Sequence, residues 1–220
     1  EVVIHPQVLG NARSMIQGNT PLTYAWKNDT RISAYDMTPF DQTLMIDADY
    51  LILSDNLKHL LEADVAFTVP NDVYDVTGRN TYGYAKKLAL GGIPQVWATM
   101  LYWKKGREAE NVFACAEMVR DNYEYYSYAL GVPSVPFRND YAFSVAAWLA
   151  KVRYYPTPIP TLPADSSIIG CNPTTRSFII RYPEHPMSGL VAWNQDLHVI
   201  NKEAVMDPSY IRMLREIYEQ

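Results

Sequence analysis

The chain alternates apolar runs with polar, turn-forming stretches, and its densest apolar run is broken at the centre. Residues 43–53 read Thr-Leu-Met-Ile-Asp-Ala-Asp-Tyr-Leu-Ile-Leu. Leu44, Met45 and Ile46 on one side and Leu51, Ile52 and Leu53 on the other predict a strand buried on both faces, as in a parallel sheet. Downstream, 56–63 predicts a short helix, 65–69 a strand, and 70–80 a polar loop. Gly91-Gly92-Ile93-Pro94 punctuates the chain before 95–103, whose aromatic and apolar density predicts a central strand. The longest helix expected is 107–130, where Val112, Ala116, Val119, Tyr123, Tyr126 and Leu130 recur at helical spacing. Gly131 and then Pro133 stop it. The prolines of 154–163 forbid a helix and predict an extended connection within one domain. Strands alternating with helices place the chain in the α/β class.

Composition narrows the setting. A length of 220 residues with 48% hydrophobic and 20% charged residues suits one globular domain over 1–220. No apolar run approaches the roughly 18 residues that span a bilayer, so no membrane span is expected. The formal charge of −5 disfavours a basic protein wrapped on nucleic acid. Cys115 and Cys171 have neither metal-binding nor redox spacing, which points to reduced thiols and a cytoplasmic setting.

Asp47 and Asp49 interrupt the apolar run where folding asks for no charge. A desolvated carboxylate costs several kcal/mol unless it is paired or bound to metal. In an extended backbone, residues i and i+2 share a side, so both carboxylates would face one hard cation with Ala48 leaving room. An Asp-x-Asp pair in a loop commonly caps a helix or binds nothing, but apolar flanks and the capping sequence Ser54-Asp55-Asn56-Leu57 place this one at a strand end. Two further clusters carry polar chemistry. Arg138, Asn139 and Asp140 precede an apolar helix, where Asn139 or Asp140 serves equally as a helix cap. In 196–202, alternation puts His198, Ile200 and Lys202 on one side. A lone His is more often a core or surface residue than a ligand, but one paired with an upstream Asp-x-Asp suits a divalent metal.

Residues 31–49, Arg-Ile-Ser-Ala-Tyr-Asp-Met-Thr-Pro-Phe-Asp-Gln-Thr-Leu-Met-Ile-Asp-Ala-Asp, resemble nucleotide-sugar glycosyltransferases of the GT-A fold. The likeness is to glycogenin-like and lipopolysaccharide galactosyltransferase-like members, in which a basic residue and an aromatic precede an Asp-x-Asp strand. It is close over about twenty residues and patchier elsewhere. It implies a Rossmann-type mixed, mainly parallel sheet flanked by helices. It also implies Mn2+ or Mg2+ held by Asp47, Asp49 and His198, bridging to the diphosphate of a nucleoside-diphosphate sugar, a UDP-sugar in the first place. Arg31, Asp47 and Lys202 would contact that donor, and Asp140, Asn139 and Arg138 would face donor sugar and acceptor. The family's Asp-Gln pattern is here Asp140-Tyr141, and its Lys-Pro-Trp ending is replaced by Lys202-Glu203-Ala204. The His-bearing ending leans towards retention of configuration.

The chain opens at Glu1-Val2-Val3-Ile4-His5-Pro6, a strand suited to the second position of an α/β unit. The expectation is that the family's first nucleotide-binding strand is missing. Two other function classes fit an α/β sheet with carboxylates: a sugar-nucleotide pyrophosphorylase, for which a glycine-rich phosphate loop is wanting, and a non-catalytic sugar-nucleotide binding module. The acceptor is open between glycan, protein and DNA. Residues 38–43 and 137–144 also resemble compact phage and bacterial transferases, some of which glycosylate hydroxymethylcytosine in DNA. That substrate would need a basic groove, for which Lys86, Lys87, Lys104, Lys105 and Arg107 are the only clustered candidates, and with an acidic net charge they read better as solvated faces.

Overall fold

The computed structural model describes residues 11–17, 20–26, 29–78, 87–88, 92–131, 137–172, 177–181, 189–192, 195–201 and 208–219. The expected N-terminal strand at 1–6 lies outside them, as do Lys86 and Lys202. The strands are β1 (Asn11–Gln17), β2 (Thr20–Trp26), β3 (Gln42–Ile46), β4 (Tyr50–Leu51), β5 (Phe67–Thr68), β6 (Val73–Asp75) and β7 (Lys87–Leu88). They continue as β8 (Ile93–Pro94), β9 (Met100–Lys104), β10 (Ile159–Leu162), β11 (Ser167–Asn172), β12 (Ser177–Arg181), β13 (Gly189–Ala192) and β14 (Leu197–Val199). The α-helices are α1 (Ala34–Met37), α2 (Lys58–Glu62), α3 (Arg107–Asp121), α4 (Tyr123–Leu130), α5 (Asn139–Leu149) and α6 (Pro208–Tyr218), and a 3-10 turn, Asp29–Ser33, leads into α1. The protein is thus mixed α/β. Its described strands form several small sheets rather than the one extended, mainly parallel sheet expected, and among the registered pairings only those of β10 with β6 and with β14 are parallel.

Two compact units are built from interleaved segments, the first from 1–44, 65–71 and 85–155, the second from 45–64, 72–84 and 156–220. In the first unit β9 lies between β3 and β5, and Met100, Leu101, Tyr102 and Trp103 are wholly buried. Phe113 of α3 is the hub of that core. Its ring centroid stands 5.0 Å from Trp103, 5.3 Å from Tyr35, 5.6 Å from Phe143 and 5.9 Å from Phe67. The buried face of α3 follows helical spacing through Ala109, Val112, Phe113, Ala116 and Val119.

The single helix expected over 107–130 is in fact two. Asn122 separates α3 from α4 with φ −120° and ψ 35°, and its side-chain amide donates to the Met118 carbonyl at 2.9 Å. Asparagine competes in this way for backbone partners, which spacing of apolar residues does not register. Gly131 ends α4 in the left-handed region, as its position predicts. The expected strand 95–103 is also shorter: only Met100–Lys104 is strand, and the segment before it is loop.

In the second unit the strand order is β4-β14-β10-β6, with β4 antiparallel to β14. Leu51, Leu162, Ile168, Phe178, Ile180, Leu197 and Val199 form its core, against which Leu53, Val76 and Leu214 pack. β11, β12 and β13 make an antiparallel meander. Two expectations are corrected here. The polar loop 70–80 contains β6, and the proline-rich connection 154–163 supplies β10, an inner strand of the sheet. Pro160 is tolerated there because of alternation. The Ile159 amide donates to Asp72 and Thr161 accepts from Val76, so both face β6, and Pro160 faces the β14 side before pairing with β14 begins at Thr161↔His198. The missing N–H therefore removes no ladder bond.

Two substitutions probe the first unit, one in its core and one in the turn that ends α5. Phe113→Ala should cost about 3–5 kcal/mol in urea-induced unfolding, since it empties the hub of an aromatic cluster. Lys151, beyond α5, sits at φ 56°, in a helix-terminating turn where Val152 N–H donates to the Ala147 carbonyl at 2.9 Å. Glycine adopts that conformation without a Cβ penalty, so Lys151→Gly should stabilise by about 1 kcal/mol in the same measurement.

Candidate metal centre

The apolar run 43–53 does not form one strand. β3 stops at Ile46 with its residues only half-buried or exposed, Ala48 and Asp49 form a turn, and β4 starts at Tyr50. The Tyr50 amide donates to the Asp47 carbonyl at 3.0 Å and closes the turn. A continuous strand between two apolar faces would have desolvated both carboxylates; the turn leaves the Asp47 side chain 25% exposed while Asp49 is buried. The two carboxylates meet by chain reversal and not by the alternation of an extended strand.

They meet at His198. Its Nε2 lies 3.3 Å from Asp49 Oδ1 and 3.8 Å from Asp47 Oδ2, and one ligand atom from each of the three residues falls within 4.8 Å of the others. A divalent cation about 2.0–2.2 Å from each ligand holds adjacent ligands roughly 3–3.5 Å apart; the His198–Asp49 separation matches that span, and His198–Asp47 is a few tenths of an ångström wider. Two carboxylates with one imidazole form a mainly hard donor set with one borderline nitrogen, which fits Mn2+ well and Mg2+ acceptably.

The turn and the histidine strand are joined directly. His198 and Leu197 pair with Tyr50 and Leu51, and the Val199 amide donates to the Asp49 carbonyl at 2.8 Å. The Tyr50 and His198 rings are stacked, with centroids 6.4 Å apart and planes 26° apart. Asp196, which sequence reasoning left without a role, is buried at 3% exposure. Its Oδ1 accepts from the Leu53 amide at 2.9 Å, the Ser54 amide at 2.9 Å and the Ser54 hydroxyl at 3.0 Å. The sequence offers only a faint signal for it, a carboxylate that follows Asn194-Gln195 and opens the segment carrying His198. The expected helix cap at 54–57 takes another form: α2 has Leu57 at its N-cap with no side-chain bond, and Ser54 serves Asp196.

Two of the other predicted residues, Arg31 and Asp140, meet in the first unit at Ala98. Arg31 Nη1 donates to the Ala98 carbonyl, and Asp140 Oδ1 accepts from the Ala98 amide at 3.0 Å. Arg138 Nη2 lies 3.5 Å from Asp140 Oδ2, and its guanidinium stands 5.6 Å from the centroid of the Tyr141 ring. Asn139 is buried in the first turn of α5. Neither Asn139 nor Asp140 is the cap: Arg138 occupies the N-cap without a side-chain bond, because the Asp140 carboxylate is directed to the loop. Ser144 extends this hold, accepting from the Val96 amide at 2.8 Å and donating to the Asp140 carbonyl at 2.6 Å. Beside Arg138, burial and then Tyr141 push the Tyr123 phenol well above its ordinary range against the pull of the guanidinium. Of the basic cluster, Lys87, Lys105 and Arg107 are exposed.

Comparison with protein-family models, with curated proteins and with solved structures finds no match to this chain. Among the described residues, no helix is long and apolar enough to cross a membrane.

Metal addition tests the centre. Mn2+ at 100 times its Kd should stabilise the wild type by about 2.7 kcal/mol in urea unfolding. Asp49→Asn should lose that gain and unfold without metal at the wild-type urea concentration or above, because one of two converging like charges is gone. Equal Mn2+ stabilisation of both proteins would rule out Asp49 as a ligand.

Proposed function

We propose that this protein is a metal-dependent glycosyltransferase of GT-A-like architecture that moves a sugar from a nucleoside-diphosphate sugar, a UDP-sugar in the first place, to a hydroxyl acceptor. The observation that carries this reading is the convergence of Asp47, Asp49 and His198 at one point. The sequence resemblance names the same three residues for the same task, although they come from distant parts of the chain.

Departure of a nucleoside diphosphate builds negative charge on the leaving phosphate. A bound Mn2+ or Mg2+ supplies positive charge there as a Lewis acid. The chain's part is to hold the ligands before substrate arrives: the Asp49 carbonyl on the Val199 amide and the stacking of Tyr50 on His198 fix them in place, so little reorganisation remains. The buried setting of Asp49 and His198 lowers the local dielectric and strengthens each charge contact. Asp140 enters this reading as a positioning residue, since its Oδ1 is bonded to the Ala98 amide. With Arg31 on the carbonyl of the same residue, it holds the loop before β9. Lys202 retains the diphosphate-neutralising role that the resemblance implies.

Hydrolysis of nucleotide sugars with and without Mn2+ tests the proposal, followed by transfer assays on glycans and on DNA containing hydroxymethylcytosine. The expected result is slow Mn2+-dependent release of nucleoside diphosphate, reduced at least 100-fold in Asp49→Ala. Donor binding without turnover would assign a binding module instead, and nucleoside triphosphate formed from donor and pyrophosphate would assign a pyrophosphorylase.

A further inference from the structure

The ligand set depends on a very short piece of sheet. His198 reaches Asp47 and Asp49 because β4 and β14 pair, yet that antiparallel ladder holds two registered pairs, Tyr50↔His198 and Leu51↔Leu197. A ladder this short specifies register weakly, and a slip of one residue would turn His198 to the opposite face of the sheet. At one end the Val199 amide donates to the Asp49 carbonyl. At the other end backbone pairing gives way to a side chain. Asp196 lies immediately before Leu197, and its Oδ1 gathers three donors from Leu53 and Ser54, residues 143 and 142 positions away in the chain.

We propose that Asp196 is the positioning residue of the metal centre: its carboxylate locks the register of β14 on β4, and so sets the distance from His198 Nε2 to the Asp47 and Asp49 carboxylates. The role rests on the metal-centre reading and deepens it. Three features support it over plain stabilisation. The carboxylate is buried, so its desolvation must be offset, and three donors to a single oxygen do so. All three donors lie just beyond β4, and β4 itself directly follows the Asp47–Asp49 turn. The clamp also sits two residues from the histidine ligand, where a small change of register becomes a change in ligand distance of the same size. Partners that orient ligands without touching metal typically govern metal affinity by about 10- to 100-fold.

The test compares Mn2+ binding by calorimetry, and the electron paramagnetic resonance line shape of bound Mn2+, in the wild type and three variants, all in buffer where circular dichroism shows them folded. Asp196→Ala removes the acceptor, Asp196→Asn keeps an acceptor oxygen but loses the charge, and Ile180→Val thins the core of the same unit without touching the clamp. The expected result is at least tenfold weaker binding and an altered line shape for Asp196→Ala, near-wild-type behaviour for Asp196→Asn, and unchanged Mn2+ affinity for Ile180→Val. Wild-type affinity in Asp196→Ala would overturn the role. So would an equal loss in Asp196→Asn, which would make charge and not tethering the cause, or an equal loss in Ile180→Val, which would make it general stability. A wild-type protein that binds no Mn2+ would overturn the metal centre and this role with it. Because Mn2+ alone is the probe, absence of sugar transfer leaves the result standing.

Discussion

Everything proposed for this protein depends on one short antiparallel contact, the pairing of β4 with β14. It brings a histidine from late in the chain against two aspartates from its first quarter. Two carboxylates and an imidazole crowded together are unfavourable on their own: the carboxylates repel, and burial penalises each charge. The surrounding unit must hold them there, and the means are visible. The apolar core of Leu51, Leu162, Leu197, Val199 and their neighbours fastens both strands from below, and hydrogen bonds to Asp49 and from Leu53 and Ser54 fasten the loop on either side.

The same logic of holding a loop by buried polar groups recurs in the first unit with different residues. Ala98 is gripped at its carbonyl by Arg31 and at its amide by Asp140, and the preceding Val96 amide is bonded to Ser144. These donors and acceptors would be costly to bury unpaired. Paired, they set the conformation of a loop that has no ladder of its own. The loop runs into β9 and is bonded to α5, and both of those elements pack on Phe113 through Trp103 and Phe143. Arg31 and Asp140, which the sequence marked for substrate contact, thus have a demonstrable task in shaping the protein itself.

Much of the candidate site was legible in the primary structure, and for a definite reason. Charges placed inside an apolar run are chemically out of place, so Asp47 and Asp49 announced themselves, and His198 stood out as an imidazole in an extended apolar segment. Asp196 was harder to read. An aspartate at a strand boundary is unremarkable by composition, and its importance lies in donors 143 positions away that no local window contains. The division of the long helix at Asn122 was missed likewise, because apolar spacing continues across the break.

Taken by itself, the sequence determined the mixed α/β class, the buried face of α3, the stop at Gly131 and the choice of Asp47, Asp49 and His198 as candidate metal ligands, since these follow from local periodicity, backbone preference and side-chain chemistry. Tertiary structure alone decided how the ligands meet. It turned one expected strand into a strand, a turn and a second strand, drew the proline-rich connection into the sheet as β10, and divided the chain into two interleaved units. Those outcomes depend on pairing between distant segments. Pairing energies are shared between two stretches of chain, so neither stretch read alone contains them.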